Sequence, residues 1–113
     1  MENQNEVIKG QLSEEEVTAL VTKYPKSYAA VFENEQGENV CVYLKKIERE
    51  VFVQGNKFMS SKDELTTCEY LLKNIWIAGY PVEDILKDFD ALKNCAATII
   101  PVLFVKAGEL KKN

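Results

Sequence analysis

The stretch SKDELTTCEYLLKNIWIAGYP, from Ser61 to Pro81, constrains this chain more than any other, because it carries a start signal, an apolar face and a stop signal. Ser61 followed by Glu64 matches a capping box, in which each side chain satisfies an otherwise unpaired backbone N–H at a helix start. Leu65, Cys68, Leu71, Leu72, Ile75 and Trp76 recur at three- and four-residue spacing, which lays them along one helical face. Glu69 and Lys73, one turn apart, pair on the wet side. Gly79 tolerates the left-handed conformation found just past a helix end, and Pro81 blocks continuation. The expectation is a helix of about five turns with one buried face, around which the rest packs. No residue in it proposes a chemistry.

At 113 residues the chain fits one domain that needs neither metal nor disulfide to build a core. Apolar residues at 46 % and charged residues at 28 % are ordinary for a globular domain, so disorder is expected only at the ends. A net charge of −4, with lysines scattered apart from Lys45–Lys46 and Lys111–Lys112, argues against nucleic acid as the main partner. Cys41, Cys68 and Cys95 are odd in number, widely spaced and set within apolar patterns, which reads as small core residues in a reducing compartment. Residues 1–11, MENQNEVIKGQ, have neither a basic start nor an apolar run, so no signal peptide is expected. The longest apolar run, Cys95 to Val105, is too short to cross a bilayer. A cytoplasmic protein follows, of a cell or of a virus multiplying inside one.

Residues 1–11 are polar and aperiodic and read as a flexible arm, with a single domain at 12–113. Ser13 and Glu16 form a second capping box, Leu12 and Val17 stand as a hydrophobic staple, and Glu14 to Glu16 suit the positive end of the helix dipole. Val17, Leu20, Val21 and Tyr24 form the buried stripe expected of this short helix, and Pro25 ends it. From Ser27 to Glu33 and again from 39 to 45 the pattern has period two. The intervening NEQGE supplies a turn, which makes an antiparallel hairpin with helices over one face. Residues 47–60 favour a helix through Ile47, Val51, Phe58 and Met59, although V-F-V at 51–53 suits a strand. Val82, Ile85, Leu86 and Phe89 are expected inward on a short helical turn. Ala91 to Lys112 reads as a final helix with Leu92, Cys95, Ile99, Leu103 and Leu110 as its apolar face and a kink at Pro101, a strand at 98–102 being the alternative. The fold class is therefore α+β, a hairpin packed with four or five helices and a mostly helical C-terminal half.

The chain contains no histidine, which removes the usual general base, the commonest metal ligand and every Ser-His-Asp or Cys-His arrangement. Its isolated glycines form neither a P-loop nor a dinucleotide fingerprint. Glu83, Asp84, Asp88 and Asp90 lack the order of a calcium loop and read as a solvated helix face. Tyr70, Trp76 and Tyr80 border the main helix, where large aromatics are core residues more often than a binding platform. Tyr24, Tyr28, Phe32 and Tyr43 are expected around the hairpin. Lysines in the closing KAGELKKN complement a helix C-terminus. No catalytic residue, cofactor or metal is expected.

From about Val40 onward, VYLKKIEREVFVQG, then LLKNIWIAGYPVEDILKDFDAL, then VKAGELKKN resemble small tail-assembly proteins of bacteriophages and prophages of Bacteroidetes hosts. The shared features are a strand ending in an aromatic-plus-lysine segment and an N-x-W-I/L-x-G helix end, matched by Asn74, Trp76, Ile77 and Gly79. An acidic stretch and a last helix ending in E-L-K-K follow. Pro81 stands where an acidic residue is more usual, Pro101 interrupts the last helix, and the Ser13–Tyr24 helix has no counterpart. The resemblance implies a non-enzymatic protein, an assembly chaperone or minor structural component, that engages tape-measure or tube proteins in the bacterial cytoplasm, remains associated with the virion in some cases, and often forms oligomers. Trp76, Tyr80, Phe89, Leu110, Lys111 and Lys112 are the candidate partner-contact residues. The alternative is a phage or mobile-element adaptor or inhibitor of a host protein.

Overall fold

The computed structural model describes residues 7–105. The alternating apolar residues of YAAVFE and NVCVYL form antiparallel strands β1 (Tyr28–Glu33) and β2 (Asn39–Leu44), with Tyr28 opposite Leu44 and Glu33 opposite Asn39. The turn between them is held by Asn34, which is buried. Its side-chain oxygen accepts the N–H groups of Gln36 and Glu38, and its side-chain nitrogen donates to the Glu38 carboxylate. An asparagine that bonds the backbone two residues on is the usual chemistry of such turns.

The hairpin gains a third strand. β3 (Trp76–Gly79) pairs antiparallel with the other edge of β2, placing Val42 opposite Gly79 and Tyr43 opposite Ala78 in the order β1-β2-β3. Trp76, Ile77 and Ala78 belong to the stretch expected to continue the main helix, and Gly79 to its expected stop signal. That helix, α3 (Glu64–Ile75), runs for 12 residues and stops where Trp76 turns extended, with φ −68° and ψ 131°. The reason lies in β2, whose residues from Val40 to Leu44 are all buried. An unpaired edge there would strand N–H and C=O groups away from water, and WIAG satisfies them, so tertiary pairing overrides the helical spacing of Trp76. Gly79, φ +103°, has its positive angle in the strand and not at a helix end.

Beyond β3 the same edge is closed by two further segments. Lys9 bridges Val40 in parallel, Cys41 N–H donates to Lys9 O at 2.8 Å, and Tyr80 N–H donates to Cys41 O at 2.9 Å. The stretch expected to be an arm therefore enters the sheet at Lys9. The crossing is so close that a Cβ on Gly10 would lie 2.5 Å from Tyr80 N, and one on Gly79 would lie 2.5 Å from Cys41 O. Only glycine fits at either position.

One sheet face, made by Ala30, Phe32, Val40, Val42 and Leu44, packs on α3 and on α5 (Phe89–Ile100). Leu71, Leu72 and Ile75 of α3 and Ile99 of α5 fill that core, each worth about 1.5–3 kcal/mol on full burial. All three cysteines are buried and free, as expected of core residues. On the opposite face Tyr43 accepts the Leu12 N–H through its hydroxyl, which anchors the approach to α1 (Glu14–Lys23). Ser13 and Glu16 form the expected capping box. The stripe of α1 is not buried as expected: none of its residues is, and Val21 is 43 % exposed.

α2 (Arg49–Ser60) takes the helical alternative of its ambiguous segment and stacks Phe52 on Phe104 with ring centroids 5.1 Å apart. The junction to α3 is not a Ser61 capping box. Asp63 N–H donates to Phe58 O and Lys62 N–H to Met59 O, the pattern of a Schellman motif, with Lys62 in the left-handed region at φ 61°. Asp63 then caps α3, its carboxylate accepting the Thr66 N–H and hydroxyl. After Pro81, α4 (Val82–Leu86) leads to α5, so Phe89 opens a helix and does not close an inward-facing turn. The chain passes through Pro101 into a π-helical turn, Pro101–Val105, with no strand at 98–102. A widened turn tolerates proline because the backbone bond that proline removes is already displaced. Leu110, Lys111 and Lys112 lie outside the described residues.

Candidate functional site

The candidate contact residues separate into two kinds. Trp76 and Tyr80 are half-buried, pack against the core, and are joined by a 2.8 Å bond from Trp76 Nε1–H to Tyr80 O. This bond ties the start of β3 to the residue that closes the sheet edge at Cys41, so both aromatics hold the fold. Tyr70 packs likewise and meets Phe58 at 5.5 Å between centroids.

Phe89 is different, with 60 % of its surface exposed at the start of α5. Its neighbour fixes its position. Asp88 accepts the Ala91 N–H through one carboxylate oxygen and the Glu35 N–H of the hairpin turn through the other, at 2.9 and 3.1 Å. The acidic stretch thus contributes a structural cap as well as a solvated face. Lys93, one turn on, places its ammonium 5.9 Å from the Phe89 ring. A groove of about 570 Å³ lies alongside, between the Schellman turn at Lys62 and Asp63 and the first turns of α5 at Phe89, Lys93 and Ala96. Asp63 is held below the usual carboxylate range by bonds from the Thr66 hydroxyl and then its N–H. This arrangement offers an apolar anchor on a rigid helix start with charge beside it, which suits recognition of a surface.

The three cysteines are buried. Cys68 and Cys95 face each other between α3 and α5, where the Cys95 side chain and burial push the Cys68 thiol up, away from the reactive thiolate. Burial does the same to Cys41. Among the described residues no group of three or more histidine, cysteine or carboxylate side chains is disposed to hold a metal. No described helix is long and apolar enough to cross a membrane.

A second depression, of about 590 Å³, has a character that the sequence reading missed. Lys23, the last residue of α1, and Lys26, just beyond it, share this depression with Lys45 and Lys46, which follow β2, and with Arg49, the first residue of α2. The signal was present in the hairpin register, since pairing Tyr28 with Leu44 carries the two loops to the same end of the sheet. Apart from Lys45–Lys46 these cations are spread along the chain, and only that alignment gathers them.

Comparison with protein-family models, curated proteins and solved structures finds no match to this chain.

Proposed function

We propose that this protein acts without catalysis, by binding another protein through the surface around Phe89. The observation that carries this reading is a large apolar ring, 60 % exposed, on a helix start immobilised by the two hydrogen bonds to Asp88. An aromatic left mostly in water costs solvation and adds little to the core, and the fixed backbone beneath it has little entropy to lose when a partner covers the ring. The resemblance of the Val40-to-end segment to phage tail-assembly proteins narrows the partner to a tape-measure or tube subunit, engaged during assembly in the host cytoplasm.

Affinity capture of the tagged protein from cells in which the parent phage or prophage is induced tests this reading. Tape-measure or tube subunits are expected with the wild type and lost with Phe89→Ser, which leaves the core untouched. Capture of a host protein alone, retained by Phe89→Ser, overturns it in favour of an adaptor.

A further inference from the structure

The groove at the open end of the hairpin is unexplained by the fold, and it carries an inference independent of Phe89. It gathers five of the chain's 14 cationic side chains, Lys23, Lys26, Lys45, Lys46 and Arg49, in a molecule whose net charge is −4. Among the described residues Glu48 is the one acid lining it. None of the five cations forms an ion pair among the described residues, whereas Lys9, Lys73 and Lys87 pair with Glu38, Glu69 and Asp84. Like charges brought together by a strand register oppose folding, so the cluster works against the hairpin that builds it. A concave surface lined by one sign of charge concentrates counter-ions.

Three details narrow the counter-ion. The groove's volume lies in the range that small ligands occupy. α2 begins at its rim, and the N-cap Glu48 makes no side-chain cap bond, so among the described residues no side chain caps the first N–H groups of that helix. Tyr24 and Ile47, both half-buried, give it an apolar part, and the Lys23 ammonium stands 5.6 Å from the Tyr24 ring. Separate cations about an apolar patch match several phosphate oxygens attached to an organic group better than one compact anion.

We propose that this groove binds a phosphate ester carrying two or more phosphates, with Lys26, Lys46 and Arg49 as the principal phosphate contacts and Tyr24 against the organic part. The ester is either a free nucleotide or a short stretch of nucleic-acid strand, both presenting the same chemistry. Calorimetric titration of the whole protein with pyrophosphate, a nucleoside triphosphate and a six-nucleotide single strand tests it. The triphosphate is expected to bind more tightly than pyrophosphate, and Lys26→Gln/Lys46→Gln to weaken it about 10-fold or more. Lys87→Gln, outside the groove, is expected to leave binding unchanged. Tighter binding of the strand, weakened equally by the double variant, supports the site and assigns the source. Amide shifts of the unaltered protein provide a readout that needs no substitution, and they are expected to move at Lys45 to Arg49. Absence of binding by all three probes, shifts confined to other residues, or equal affinity of the double variant and the wild type overturns the proposal.

Discussion

The two ends of the central strand are built on opposite terms. Around Cys41 the backbone is saturated: the N–H goes to Lys9, the carbonyl takes the Tyr80 N–H, and two glycines pass within contact of that carbonyl. Around Leu44, itself paired with Tyr28 and Trp76, the strand leads out between two segments whose cations have no acidic partner among the described residues, and Tyr28 buries a hydroxyl that finds no hydrogen-bond partner among them either. The first end is what a fold needs from its chain. The second brings cations of one sign together beside a buried hydroxyl, an arrangement expected to cost stability.

The saturated end yields the largest expected effect. Gly79→Ala combines a φ of +103° with a Cβ that would lie 2.5 Å from Cys41 O and 2.9 Å from Val42 Cα. Left-handed backbone costs a non-glycine residue about 1–2 kcal/mol, and overpacking of backbone adds about 1–3 kcal/mol, so a loss of about 3–4 kcal/mol is expected in urea unfolding. Gly37→Ala separates the two contributions. Its φ is +78° but a Cβ there would meet no described residue within 4 Å, so about 1 kcal/mol is expected. Equal losses at both positions would remove close packing from the account of the Cys41 end.

A pair of tyrosines sharpens the contrast at a smaller scale. Tyr43→Phe removes the acceptor of the Leu12 N–H and is expected to cost about 1 kcal/mol. Tyr28→Phe removes a buried hydroxyl with no hydrogen-bond partner among the described residues, and is expected to raise stability by up to about 1 kcal/mol, because a buried unpaired hydroxyl carries a desolvation penalty. Burial raises the pKa of both phenols, so the folded chain keeps protons that the unfolded chain releases from about pH 10. The stability linked to that shift is complete below this pH and is lost as the pH rises through the folded values. The urea midpoint should therefore fall in alkali, and less steeply in either phenylalanine variant.

How much of this was legible in the sequence follows from the range of the forces involved. The Ser13 box, the hairpin with its NEQGE turn and the buried cysteines are written locally, in caps, periods and turn residues, and they were readable, whereas residues 47–60 left a strand open beside the helix that forms over Arg49–Ser60. The helical spacing of Trp76 was real but misleading. What ends α3 at Ile75 is the open edge of β2, some 30 residues earlier in the chain, and no local pattern records that demand. Ser61 lost the cap to Asp63 because the close of α2 occupies the same residues. For the site, the outward turn of Phe89 was hidden by its inward spacing with Ile85. The basic groove was hidden by the distance between its two loops, which only the register of Tyr28 on Leu44 brings together.

The smallest expected effect bears most directly on the open end. If like charges there oppose the hairpin, Lys46→Gln should raise stability by up to about 0.5 kcal/mol at low ionic strength, the scale of a surface charge change. The gain should fade in about 1 M salt, where the screening length falls to about 3 Å. Lys73→Gln, which breaks the pair with Glu69 at 3.1 Å, should move the urea midpoint the other way. A loss of stability in Lys46→Gln would mean that the lysine serves the fold, and the groove would then resemble the Cys41 end. A gain that disappears when a triphosphate is added would show one residue opposing the empty protein and stabilising the occupied one, because a ligand that binds only the folded state adds to its stability.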